Sequence, residues 1–123
     1  EEWYFIVQNK KQTPVGTIRI YDIQGDSFCW GSWIITPEAR AYASFESIVL
    51  LYKFAFLELK YNKTHFDVRK ENTKALNFYL KFGAIITNET DIDFLMAYTK
   101  KDFLKHLDYY NDVVKTQKLK YAQ

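Results

Sequence analysis

The order of local signals along the chain predicts a mixed α/β fold: a central mixed β-sheet of about six strands, with one parallel pair, flanked by three helices. Three observations point there. The first third is dense in β-branched and aromatic residues broken by turn formers. An apolar strand over residues 28–36 is followed by a long helical run and a second strand. Such a strand–helix–strand unit makes adjacent parallel strands through a right-handed crossover. The last third then alternates a capped helix, a hairpin and an amphipathic helix.

Residues 3–7 form a dense β run and residues 17–21 alternate with period two, so the turn formers of residues 9–16 between them predict an antiparallel hairpin. Gln24-Gly25-Asp26 marks the next turn. In residues 28–36, Trp30, Trp33, Ile34 and Ile35 give the strand two apolar faces, which places it centrally in its sheet. Pro37 cannot donate to a ladder and ends it. Residues 44–59 read as a helix with Ser44 as N-cap, apolar almost all round and so covered on two sides. Residues 64–69 are a fourth strand. Residues 72–82 are a second helix closed by Gly83, whose missing side chain suits the left-handed conformation of a helix C-terminus. Residues 84–87 and 93–98 read as a hairpin, and residues 101–115 as an amphipathic helix. The basic residues 115–120 read as a solvated tail.

The 123 residues are expected to form a single domain, and a hydrophobic content of 48% suits a packed core. A net charge of +2, with acids interspersed among the lysines, is no footprint for nucleic acid. Cys29 is alone, so no internal disulfide forms and a reducing compartment is the default. With no leader-like segment and no apolar run of bilayer length, the expectation is a soluble, cytoplasmic protein without a membrane partner. Two histidines and one cysteine show no ligand spacing, so no metal is expected.

Two stretches carry the functional signal. The first is Ile35-Thr-Pro37-Glu-Ala-Arg40-Ala-Tyr-Ala43-Ser-Phe45, directly after a strand. The second is Asn72-Thr-Lys-Ala75-Leu-Asn-Phe-Tyr79-Leu-Lys-Phe-Gly83. A strand, a proline turn and a helix beginning near Ser44 would leave the N–H groups of Ala41, Tyr42, Ala43, Ser44 and Phe45 facing one concavity. Free donors and a positive dipole make helix N-termini phosphate sites, and Arg40 adds a charge-assisted contact. Together the two stretches resemble the GNAT superfamily of acyl-coenzyme A-dependent N-acyltransferases, from about residue 3 to residue 98. The wording of the strands most resembles acetyltransferases associated with bacterial surface-polysaccharide biosynthesis.

The resemblance implies acetyl-CoA as co-substrate and a primary amine as acceptor, an amino sugar or a nucleotide-linked amino sugar among the options. It implies that the central strand splays from its parallel neighbour, so that backbone groups of Trp33 and Ile35 meet the pantetheine arm. Asn72 would meet the same arm with its amide, a group that both donates and accepts. Tyr79 would protonate the departing thiolate; a phenol of pKa about 10 is a suitable acid for it. The family pattern has glycine and a small residue where Ala43 and Phe45 stand, so Phe45 must turn its ring away from the phosphates. Each residue also has a plainer reading: Asn72 as a helix cap, Tyr79 as core, the residue 37–44 loop as a simple connection.

The general base is open: His65 and Asp67 project from the same strand face and either could accept the amine's proton, with His65 the named candidate. The family normally begins with a strand and one or two helices ahead of the point where this resemblance starts, so those elements are expected to be missing here. That loss, with Ala43 and Phe45, supports an alternative: a non-catalytic module on the same scaffold with a degenerate cofactor groove. The expected partners are a small-molecule amine acceptor and, as an open option, a second copy in a homodimer.

Overall fold

Asn9 builds the first turn. Its Oδ1 accepts from the N–H groups of Lys11 and Thr13 at 2.9 and 3.1 Å, replacing backbone partners that a turn lacks. The result is the expected antiparallel hairpin of β1 (Trp3–Gln8) and β2 (Pro14–Gln24). β2 pairs antiparallel with β3 (Ser27–Ile35). Next come α1 (Arg40–Tyr52), β4 (Lys63–Arg69), α2 (Thr73–Phe82), β5 (Ile85–Glu89), β6 (Asp93–Thr99), α3 (Lys100–Lys105), α4 (Leu107–Val113) and β7 (Lys118–Ala122). The computed structural model describes residues 2–114 and 118–122.

Among the described residues the sheet has seven strands in the order β5-β6-β4-β3-β2-β1-β7, with β3 at its centre. Only the β3–β4 contact among the described residues is parallel, through the α1 crossover. That pairing is short. Ser27 meets Lys63 and Phe28 meets Thr64, and then the strands part. Past that point β3 stays with β2 up to Ile35 while β4 stays with β6 up to Arg69. A wedge-shaped gap therefore opens in the middle of the sheet, its apex at Phe28 and Thr64.

The helices pack on one face of the sheet. Phe5, Phe28, Trp30 and Phe66 point toward them and meet Phe54, Phe56, Tyr52 and Tyr79 respectively. Tyr52 and Tyr98 are buried in this cluster with Phe82 and Phe103. Aromatic pairs at these spacings add about 0.5–1.5 kcal/mol each beyond area burial. Alternation puts His65 and Asp67 of β4, and Cys29 of β3, on the opposite face.

Several boundaries differ from the sequence reading. The long helix starts at Arg40, not Ser44, and is entered through a 3₁₀ turn at Pro37–Ala39. Proline presets the dihedral of a first helical turn, so the same Pro37 that ends the strand also starts the helix. Ser44 is consequently an interior residue and caps nothing. Past Tyr52 the helix widens into a π-helical stretch, Lys53–Glu58, where Leu59 N–H bonds to the Phe54 carbonyl at 3.0 Å. The C-terminal helix is two helices, broken at His106 (φ −118°, ψ 17°). The sheet has seven strands rather than six, because β7 pairs antiparallel with β1. Residues 118–120 of the expected solvated tail thus form an edge strand, while residues 115–117 lie outside the described residues. None of the described helices is long and apolar enough to cross a membrane.

Candidate active site

The gap between β3 and β4 has distinct furnishings on its two faces. On the helix side, Tyr79 of α2 bridges it: its ring lies edge-on to Trp30 of β3 at 5.8 Å and to Phe66 of β4 at 4.9 Å. Trp30 and Phe66 are each two residues past the last β3–β4 pair, so Tyr79 stands where the strands separate. Its hydroxyl has no hydrogen-bond partner among the described residues, and burial pushes its pKa above 10. The side chain is half-buried. Tyr79 is therefore an un-ionised phenol held over a gap by ring packing alone.

At the open end of the gap, where β3 ends and α1 begins, Trp33, Ile34, Ile35, Arg40 and Ser44 line a groove of about 340 Å³. Four of these, Trp33, Ile35, Arg40 and Ser44, are residues the sequence singled out. Trp33 is fixed from below: its indole N–H donates to Ser47 Oγ at 2.9 Å, and that hydroxyl donates to the Ser44 carbonyl at 2.8 Å. β3 carries a bulge here, an extra residue opposite Thr17–Arg19, with Ser32 at φ 50°. Bulges re-aim backbone groups and favour such sites. Arg40 is exposed and makes no ion pair among the described residues.

The remaining loop residues divide. With α1 starting at Arg40, the N–H groups of Ala43, Ser44 and Phe45 fall inside the i→i−4 ladder, so the candidate donors are the first-turn amides of Ala41 and Tyr42. Arg40 N–H is already bonded to the Pro37 carbonyl. Ala41 and Tyr42 sit on the first turn of α1, and their side chains lie outside the described residues. Ala43 is fully buried, so its methyl belongs to the core. Phe45 turns toward Phe82 and Tyr110, at 5.7 and 6.0 Å, and away from the groove. Asn72 caps α2, its Oδ1 accepting from Ala75 N–H at 3.2 Å, while its amide nitrogen carries no bond among the described residues. It thus does hold the plainer of its two roles.

On the helix-free face, a groove of about 500 Å³ runs past the apex, lined among others by Asp22, Cys29, His65 and Asp67. His65 stands here, with the sheet between it and Tyr79. Its two ring nitrogens are both engaged, Nδ1 with Ser27 Oγ at 2.6 Å and Nε2 with Asp22 Oδ2 at 3.1 Å. Ser27 and Asp22 had no sequence signal, because their meeting with His65 spans 38 and 43 residues. Among the described residues no group of three or more His, Cys, Asp or Glu could hold a metal ion.

A family model described as an acetyltransferase (GNAT) domain matches residues 1–85. The chain belongs to the GNAT acetyltransferase family. Among solved structures, FdhC, described as a nucleotide-linked sugar GNAT, shares 36% identity at a TM-score of 0.88, over 94% of this chain and 66% of that one. The spermidine N-acetyltransferase of Vibrio cholerae, solved with CoA and spermine, gives a TM-score of 0.73 at 21% identity over 84% of this chain and 68% of that one. At that identity it speaks for the fold alone. No curated protein sequence gives a significant match. This chain therefore spans just under two thirds of FdhC. The parted parallel pair is the feature that a GNAT fold was expected to contribute.

Proposed function

We propose that this GNAT chain is the catalytic core of an acetyl-CoA-dependent N-acetyltransferase whose acceptor is a primary amine on a sugar, with a nucleotide-linked amino sugar the favoured class. The observation that carries the reading is the gap between β3 and β4 with Tyr79 standing over it. The favoured acceptor class draws on the 36% identity with a nucleotide-linked sugar GNAT.

The residues present fit acetyl-CoA. Among the described residues the edge of β3 facing the gap has no strand beside it past Phe28, so an extended amide-bearing arm can add to it as a strand would. Trp33 and Ile35 offer that edge. Arg40 and the first-turn amides of α1 at Ala41 and Tyr42 supply charge and donors for a pyrophosphate. Ala43 needs no glycine at its position, because its backbone is helical with no positive φ and its methyl packs into the core. Asn72 has a spare donor for the arm. When bound, acetyl-CoA supplies an activated thioester. A β3 N–H at the gap stabilises negative charge developing on a carbonyl oxygen, and Tyr79 gives its proton to the leaving sulfur.

The test is calorimetric titration with acetyl-CoA, followed by a thiol-release assay on UDP-glucosamine, glucosamine and spermidine. Saturable binding and release driven by a sugar amine are the expected results. Absent binding would leave the non-catalytic scaffold. Binding with spermidine as the best acceptor would keep the enzyme and overturn the acceptor class.

A further inference from the structure

We infer that Asp22 is the group that takes the proton from the acceptor amine, with His65 and Ser27 holding it in place. The inference rests on the proposed N-acetyltransferase reading and assigns the base that the sequence left open. Three features converge on Asp22.

The first is its aim. β2 carries an extra residue between Tyr21 and Gln24, opposite Cys29 and Ser27 of β3, and Asp22 sits in it at φ 49°. A left-handed conformation is uncommon outside glycine, though aspartate accepts it more readily than most residues, and the bulge fixes it in this strand. Here the bulge turns the carboxylate into the groove on the helix-free face.

The second is its support. Both supporting donors converge on one oxygen: His65 Nε2 at 3.1 Å and Gln24 Nε2 at 2.9 Å from Oδ2. An ionised carboxylate only accepts, so the Nε2 contact is a donation from His65, and Nδ1 is taken up by the Ser27 hydroxyl. Ser27, 4% exposed, is buried at the start of β3, one residue before the last β3–β4 pair. His65 therefore has no free lone pair for an amine, while Oδ1 of Asp22 does. The side chain of Asp22 is 51% exposed, so a ligand can reach it.

The third is place. The α1 N-terminus and Arg40 lie at the open end of the gap, so a pyrophosphate there directs the acyl end toward the apex. Asp22, His65 and Ser27 cluster at the apex. The other carboxylates of the groove do not compete well: Asp93 is paired with Arg69 at 3.1 Å, and Asp67 stands farther along β4 toward the open end.

The balanced step follows. The acceptor nitrogen bonds to the acyl carbon as the carbon–sulfur bond breaks. The nitrogen's proton passes to Asp22, and Tyr79 protonates the sulfur. Solvent then restores both groups.

The experiment uses the intact chain, acetyl-CoA and whichever of UDP-glucosamine, glucosamine or spermidine the unaltered protein acetylates fastest. Asp22→Asn keeps the shape and removes the base. Its kcat falls by about 10²–10⁴-fold, while the acetyl-CoA affinity by calorimetry and the melting temperature stay at their wild-type values. Asp22→Ala regains part of its turnover with added formate, a rescue that a merely structural role would not show. His65→Asn gives a smaller loss, and Asp67→Asn less still. Wild-type turnover in Asp22→Asn, no formate rescue, or the large loss moving to Asp67→Asn would overturn the assignment. If the unaltered protein neither binds acetyl-CoA nor acetylates any of the three amines, the proposed function fails, and this assignment fails with it.

Discussion

Tyr79→Phe isolates one atom. The ring contacts with Trp30, Phe66 and Phe78, at 5.8, 4.9 and 5.6 Å, survive the substitution. The lost hydroxyl makes no hydrogen bond among the described residues, so no buried partner is orphaned. Removing a bonded hydroxyl would cost about 1 kcal/mol; here the expected change in stability is within about 0.5 kcal/mol. Catalysis behaves differently. A positioned acid contributes about 10²–10⁴-fold, so kcat falls in that range while KM values hold. Direction of ionisation matters too. Burial raises the Tyr79 pKa above 10, so the acid form persists through pH 6–9, and no basic limb from this group appears there. The assay is thiol release at saturating acetyl-CoA across that pH range, with a urea melt on the same samples. Unchanged turnover with a lowered urea midpoint would refute the reasoning and make Tyr79 a packing residue.

Two further substitutions separate binding from folding. Arg40→Glu reverses an exposed charge at the groove that has no ion-pair partner among the described residues, so calorimetry should show acetyl-CoA affinity weakened by about 10–100-fold, the equivalent of losing a hydrogen bond to a charged group, at unchanged stability. Asn72→Ala should cost about 1 kcal/mol of stability through the lost cap, whereas Asn72→Asp keeps a capping oxygen and the stability. Both should weaken acetyl-CoA binding, read by calorimetry beside the melts, because both remove the amide donor.

The parts of this fold that local chemistry dictates were legible. Alternation marked the β1–β2 hairpin, two-faced apolarity put β3 at the centre, and the strand–helix–strand order gave the parallel pair. Asn72 and Gly83 bounded α2 correctly, Gly83 at φ 117°. The parting of β3 from β4 came from the family resemblance, since no local feature encodes the absence of pairing. Errors arose where one residue does two jobs or where pairing is long-range. Pro37 both ends a strand and starts a helix, which shifted the start of α1 from Ser44 to Arg40. Lys118-Leu-Lys-Tyr alternates, yet five residues gain strand character only by finding β1, more than a hundred residues away. Asp22 was invisible because its importance lies in a bulge and in partners 2 and 43 residues off.

The central claim is that the gap between β3 and β4 receives the arm of acetyl-CoA. Hydrogen–deuterium exchange with and without saturating acetyl-CoA tests it directly, since the β3 edge past Phe28 has no partner strand to slow its amides. The account predicts new protection in residues 29–35 and in the first turn of α1, with the β5–β6 hairpin unchanged. Saturable binding that leaves residues 29–35 as exchangeable as before would contradict it.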